Sequence, residues 1–204
     1  MLPSYALPTL ADRLSRHRAD SISGGPAGER QAAVSIVLRA GPRDDGDAEV
    51  LLIRRADHPQ DPWSGHMAFP GGRRDPLDDS LEETAIREAS EEVGVDLAAH
   101  GRLVARLDDV PAIARGRRLG LTIAPFVFSF ATPAAYAPLA PNEEVAEAIW
   151  VPVGPLARGE GAGTYAYRIE GRAIDLPCLR VGDRVVWGLT YMMLQAFFAA
   201  LRGQ

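Results

Sequence analysis

The sequence predicts an α+β fold. Strand-like segments outnumber helix-like ones, and the helices fall between groups of strands. Gly and Pro number 20 and 16 in 204 residues, which implies many turns. The length suits one ordinary domain with a sizeable core, and 47% apolar residues exclude a wholly disordered chain or a fibre.

The elements follow in order. Residues 1–30 carry a short amphipathic pattern, with Leu10 and Leu14 set among Arg13, Arg16 and Arg18, and "SISGGPAGE" breaks it. An N-terminal helix and loop packed on a main domain, residues 31–204, is the expected organisation. "AAVSIVLRA" (32–40) and "EVLLIRR" (49–55) read as strands, paired as a hairpin around the turn "GPRDDGD". "ADHPQDPWSGH" is a polar loop, and "MAFPGG" a brief strand closed by a Pro-Gly-Gly turn. A helix begins near Asp79 or Ser80, because Ser80 and Glu83 form a capping-box pattern. Leu81, Ala85, Ala89 and Val93 give it a core stripe, and Gly94 supplies a left-handed end. "GRLVARLDDV" and "LTIAPFVFSF" read as strands separated by the arginine-rich loop "ARGRRLG". "EEVAEAIWVPV" (143–153) is another strand, and "TYAYRIEGRAIDL" (164–176) a hairpin around Glu170–Gly171. "WGLTYMMLQAFFAAL" (187–201) is an apolar closing helix, serving either as core or as the seam of a homodimer.

Composition bounds the function. No apolar run approaches the roughly 18 residues of a membrane helix. The N-terminus has no basic region followed by an apolar stretch, so no secretory signal is expected. The single cysteine, Cys178, cannot form an internal disulfide, which fits a cytoplasmic location. A net charge of −5 argues against a nucleic-acid-binding face. All 22 basic residues are arginine, as either a phosphate grip or a GC-rich coding bias would give.

One segment demands a chemical explanation. "REASEEVGV" (87–95) places Glu88, Glu91 and Glu92 on one helical arc, since each residue turns about 100°. Like charges at these spacings repel, and the last two lie where the helix dipole is negative. Arg87 stands four residues from Glu83 and from Glu91, so ion pairs soften the repulsion. Taken alone, such a face is most simply a solvated one. A cation among the carboxylates is the other solution.

The wider context, "AFPGGRRDPLDDSLEETAIREASEEVGV" (68–95), resembles the Nudix box, a loop–helix–loop with an Arg-Glu-x-x-x-Glu-Glu-x-Gly element. Arg87, Glu88, Glu91, Glu92, Gly94 and Val95 match it. In the first half, Asp79 occupies the place of a Glu eight residues before the arginine, and Gly72 lies one residue further away than is common. The resemblance implies an α/β/α sandwich with a mixed central sheet. It implies Mg²⁺, with Mn²⁺ as the alternative, held by Glu88 and Glu92, with Glu91 either a third ligand or bound through water and the Gly72 carbonyl adding another. Such hard cations take oxygen ligands. Arg87 would orient the glutamates. Gly71 and Gly72 would let the backbone approach metal or phosphate closely. The reaction implied is hydrolysis of a diphosphate within a nucleotide-type small molecule. Glu91 is one candidate for the base that takes the water's proton; Glu143, Glu144 and Glu147 are the others, with an exposed strand edge as the plainer role for these three.

Upstream, "LLIRRADHPQDPWSGHMAFPGG" is similar to the signature that precedes the box in coenzyme A pyrophosphatases. Leu51, Leu52, Arg55, Gly65, Ala68, Phe69, Pro70, Gly71 and Gly72 match. One extra residue lies between Arg55 and Pro70, Trp63 stands in the place of a histidine, and His66 in that of Glu or Gln. "RLDDVPA" and "VWGLTYMML" extend the likeness over about residues 32 to 200. The resemblance implies coenzyme A or a thioester of it as substrate. Arg54, Arg55, Arg115, Arg117 and Arg118 are candidates for its phosphates. Trp63 either stacks on a base or packs against Met67 and Phe69, and His66 either tunes a phosphate or proton transfer or has no role. Other nucleotide-linked diphosphates, such as ADP-ribose, nucleotide sugars or dinucleotides, and a non-catalytic nucleotide-sensing module of the same fold are the rival readings.

Overall fold

The structure, a computed structural model, describes residues 4–19, 30–42, 46–59, 63–114, 117–130, 138–169 and 171–203. The loop expected over "SISGGPAGE", the tip of the "GPRDDGD" turn, part of the polar loop before Trp63, Arg115 and Glu170 lie outside the described residues.

Among those residues the elements run α1 (Leu7–Leu14), β1 (Arg30–Ala40), β2 (Ala48–Arg55), β3 (Met67–Ala68), β4 (Gly71–Arg73), α2 (Leu81–Val93) and α3 (Leu97–His100). They continue with β5 (Gly101–Arg106), β6 (Val110–Ala114), β7 (Arg117–Phe130), β8 (Val145–Pro152) and α4 (Val153–Ala157). β9 (Ala162–Ile169), β10 (Arg172–Val181), β11 (Arg184–Trp187) and α5 (Gly188–Arg202) complete the chain.

The main sheet is mixed. β1 runs parallel to β7 at its centre, with β2 and β3 beyond β1, β5 beyond β7, β8 paired along the length of β2, and β4 and β6 paired with the first parts of β1 and β7. Every pairing other than β1 with β7 is antiparallel. β1 is buried without a break from Ala32 to Leu38, and apolar there except for Ser35, because both of its faces are covered. Ala33 and Val37 turn to a cluster beneath α2, while Ile36 and Leu38 turn to a cluster shared with α1 and α5. The result is a helix–sheet–helix sandwich. β9, β10 and β11 form a separate three-stranded antiparallel sheet.

The predicted β1–β2 hairpin is present, with Ala40 opposite Ala48. The β9–β10 hairpin is present too, with Ile169 opposite Arg172. The arginine-rich loop is not a loop throughout. Arg117 and Arg118 already belong to β7, where they oppose Ala114 and Ile113 of β6. The strand expected from residue 143 starts at Val145. α3, α4 and β11 have no counterpart in the sequence reading; the first two are single turns too short for an apolar period. α5 uses its apolar face within the chain, burying Met193, Leu194, Phe197, Phe198 and Leu201. Among the described residues, no helix is long and apolar enough to cross a membrane.

Candidate active site

α2 sets the site. Ser80 caps it by accepting a hydrogen bond from the Glu83 N–H at 3.1 Å, and the Glu83 carboxylate reaches back to the Asp79 N–H at 2.7 Å. That engagement takes Glu83 away from the Arg87 pairing its spacing suggested. Ala85, Ala89 and Val93 are fully buried against the sheet. The helix ends on Gly94, at φ +70°, whose N–H bonds the Ser90 carbonyl. The chain then returns across this end: the Ala140 and Asn142 N–H groups donate to the carbonyls of Val93 and Glu92. This return carries Glu144 to the acidic turn of α2.

The Gly71–Gly72 turn meets the same place from the sheet. A Cβ at Gly71 would strike the Ala33 carbonyl and Val34, and one at Gly72 would strike the Glu88 carboxylate. At Gly71 only glycine permits this approach, and at Gly72 a side chain would push the Glu88 carboxylate aside. The Gly71 N–H donates to Glu92 Oε2 at 2.8 Å, and Arg55 lies 3.8 Å from Glu92 Oε1.

Arg87 is the hub of the acidic face. Its Nε and a terminal nitrogen donate to the two carboxylate oxygens of Asp78, each at 3.0 Å. Its other terminal nitrogen donates to Glu88 and Glu91, each at 2.9 Å, and the Arg73 carbonyl takes a further bond at 3.2 Å. Arg87 thereby ties three carboxylates together. Asp78, which is buried, also accepts from Thr84 Oγ1 and the Asp75 N–H. The hydrogen bonds from Arg87 hold its carboxyl well below the usual range, against the opposing effect of burial. Counting along the chain pointed to Asp79. In the fold Asp79 contributes only backbone groups to Glu83 and Arg74, and its neighbour Asp78 takes the arginine.

The glutamates are electrostatically costly as they stand. Burial pushes Glu92 up to about 7; the Gly71 N–H and Arg55 oppose this, while Glu88 and Glu144 add to it. Burial also raises Glu88, against the pull of Arg87. Glu88, Glu91, Glu92 and Glu144 all line one groove of about 560 Å³. Among the described residues, no three acidic, His or Cys side chains are already gathered at metal-binding distance. The geometry gives the reason: Glu88 and Glu91 are drawn onto Arg87, and Glu92 onto Gly71. The donor set is nonetheless all oxygen, desolvated and rich in negative charge, which fits a hard divalent cation.

The groove collects most of the expected residues. Arg55, Trp63, His66, Gly71 and Gly72 line it together with the four glutamates. Trp63 also packs against the core beneath α5, as the packing alternative expected. The His66 ring lies 4.5 Å from that of Trp187. Arg54 is a correction. Strand alternation sends it to an adjoining cavity, where it approaches Glu147, and Glu147 is held by Arg184. Glu147 is thereby removed from the candidates for the base. Arg30, Arg73, Trp187, Leu189, Thr190 and Met193 line the groove without any sequence expectation. A larger cavity, of about 810 Å³, lies between the C-terminal ends of α1 and α5 and contains none of the box residues.

The NUDIX domain model matches residues 29–168, more than half of the chain and all of the acidic loop–helix–loop. The chain belongs to the NUDIX domain family. An uncharacterized Nudix hydrolase NudL of Yersinia enterocolitica is 41% identical over 93 residues, 45% of this chain and 45% of the relative. Over 61 residues the chain is 52% identical to the uncharacterized protein C14C4.10c of Schizosaccharomyces pombe, 29% of this chain and 18% of that protein. The chain thus spans less than half the length of these curated relatives. Two solved structures share the fold. A MutT/nudix family protein from Enterococcus faecalis gives a TM-score of 0.58 at 17% identity, over 97% of this chain and 70% of its own. A C. elegans Ap4A hydrolase gives 0.53 at 18% identity, over 86% and 99%.

Proposed function

We propose that this Nudix hydrolase cleaves the diphosphate of coenzyme A or of a thioester of it, releasing 3′,5′-ADP and 4′-phosphopantetheine or its acyl form. The observation that carries this reading is the shape of the groove. One end holds Glu88, Glu91, Glu92 and Glu144; the other is apolar, with Leu121, Ile123 and Met193. A diphosphate linking a nucleotide to a long, mostly uncharged arm suits both ends.

Glu88 and Glu92 would hold Mg²⁺ or Mn²⁺, joined by Glu91 and the Gly72 carbonyl. Such an ion, when bound, neutralises the diphosphate and lowers the pKa of water. The protein's own groups do the rest. Arg87 aligns Glu88 and Glu91 through its fork of hydrogen bonds. Gly71 fixes Glu92 through its N–H. Arg55 engages a phosphate oxygen. Glu144, brought to the groove by the return across α2, takes the proton of the attacking water, with Glu91 the second candidate.

The test is a product assay with Mg²⁺ against coenzyme A, acetyl-coenzyme A, ADP-ribose and diadenosine tetraphosphate. Coenzyme A and its thioester are expected to rank highest in kcat/KM. No cleavage of either, with ADP-ribose or the dinucleotide turned over well, overturns the assignment.

A further inference from the structure

We infer that the C-terminal segment beyond the family match forms a preorganised subsite for an uncharged, apolar arm on the phosphate, and that Leu189 and Leu119 select for its length. The inference rests on the diphosphate reading of the groove. The NUDIX match ends at residue 168, inside β9, so β10, β11 and α5 lie past it. Yet Trp187, Leu189, Thr190 and Met193 come from that segment and wall the same groove that holds the four glutamates. The chemistry and this wall thus have separate origins in the chain.

The wall is fixed before any ligand arrives. Thr190 Oγ1 donates to the Met67 carbonyl at 2.8 Å, pinning the first turn of α5 to β3. Gly188, at φ +61°, makes the reversal from β11 into α5. Trp187 is held by the rings of His66, Tyr165 and Tyr167, at 4.5, 4.7 and 4.7 Å. Across the groove stand Leu119, Leu121 and Ile123 of β7. Arg30 also lines the groove, and its guanidinium donates to the Leu119 carbonyl at 2.8 Å. A cavity of this size is in the range that buries a small ligand. Its continuity with the acidic end identifies the occupant as part of a phosphate-bearing molecule. Its many apolar side chains favour an uncharged stretch of that molecule over a second charged group.

The experiment is calorimetric titration of the full chain with ethyl, butyl and octyl phosphate in the presence of Mg²⁺, for wild type, Leu189→Arg, Leu119→Arg and Met192→Arg. Wild type is expected to tighten by roughly twofold or more per added methylene. Leu189→Arg and Leu119→Arg are expected to flatten this dependence. Two variants on separate elements cover the case in which one fails to fold. Met192→Arg, an exposed position on α5 outside the groove, is expected to keep it. Equal affinity for all three phosphates in wild type, or chain-length dependence that survives both leucine substitutions, overturns the inference. No bond is broken in these titrations. Chain-length-dependent binding without coenzyme A turnover would therefore sink the proposed substrate alone, and turnover with length-independent binding would sink the subsite alone.

Discussion

Glu92 is buried at 2% exposure between α2 and the Gly71 turn, and its carboxylate is raised to about 7 from an ordinary value of 4.5. A carboxylic acid raised in the fold binds more protons folded than unfolded between those two values. The metal-free protein therefore loses stability as pH rises from about 4.5 through 7, by an amount on the order of 3 kcal/mol from this group. Glu92→Gln is expected to raise the metal-free melting temperature at pH 8 and to change it little at pH 5; thermal melts at the two values check this. Asp78 has the opposite sign. Its carboxyl is depressed by Arg87, so its contribution is present above the unfolded value and is lost as pH falls through the folded one. Asp78→Asn leaves the Arg87 charge without its main partner. It is expected to cost about 3 kcal/mol in urea unfolding and to lower turnover through misplaced Glu88 and Glu91. Counting eight residues back from Arg87 singled out Asp79, yet Asp78 is the one that pairs with it. Which of them faces Arg87 depends on how the loop folds, with Asp75 and Thr84 closing on Asp78.

At the scale of elements, α2 was the most legible part of the sequence. Its cap, its stripe at spacing four and its terminal glycine are all local signals, and each holds in the fold. β1 and β2 were equally plain, being long and β-branched. β11 and the first turn of β7 were not. Their strand state comes from tight hairpin pairing, Cys178 opposite Trp187 and Ala114 opposite Arg117, which the apolar pattern of each segment by itself does not reveal. β4 shows how an element serves the site: its two glycines let the sheet touch Glu92 and Glu88. Gly72→Ala is expected to displace the Glu88 carboxylate and to lower kcat/KM by about 100-fold. Steady-state kinetics at saturating Mg²⁺, beside a melt that shows the fold retained, measures it.

Across the whole molecule, the groove exists because the sheet has helices on both faces and an open end between them. Acidic residues of α2, the Gly71 turn and Glu144 reach that end from one side, and α5 with β11 from the other. The acidic half was legible because Glu88, Glu91 and Glu92 lie within one short motif, whereas Glu144 joins them only through the fold. The apolar half was not, because Leu121, Leu189 and Met193 look like any core residues until the fold places them beside a cavity. Alternation along β2 could have separated Arg54 from Arg55, had the face of that strand been known. The proposed chemistry turns on a divalent cation held at the end of α2. The measurement that tests it most directly is calorimetric titration of wild type and Glu92→Gln with Mn²⁺ across pH. The predicted result is binding by wild type that weakens below about pH 7, as protons compete for Glu92, and a loss of roughly 10-fold or more in the variant. Equal Mn²⁺ affinity in the two proteins, or no binding by wild type at any pH, contradicts it.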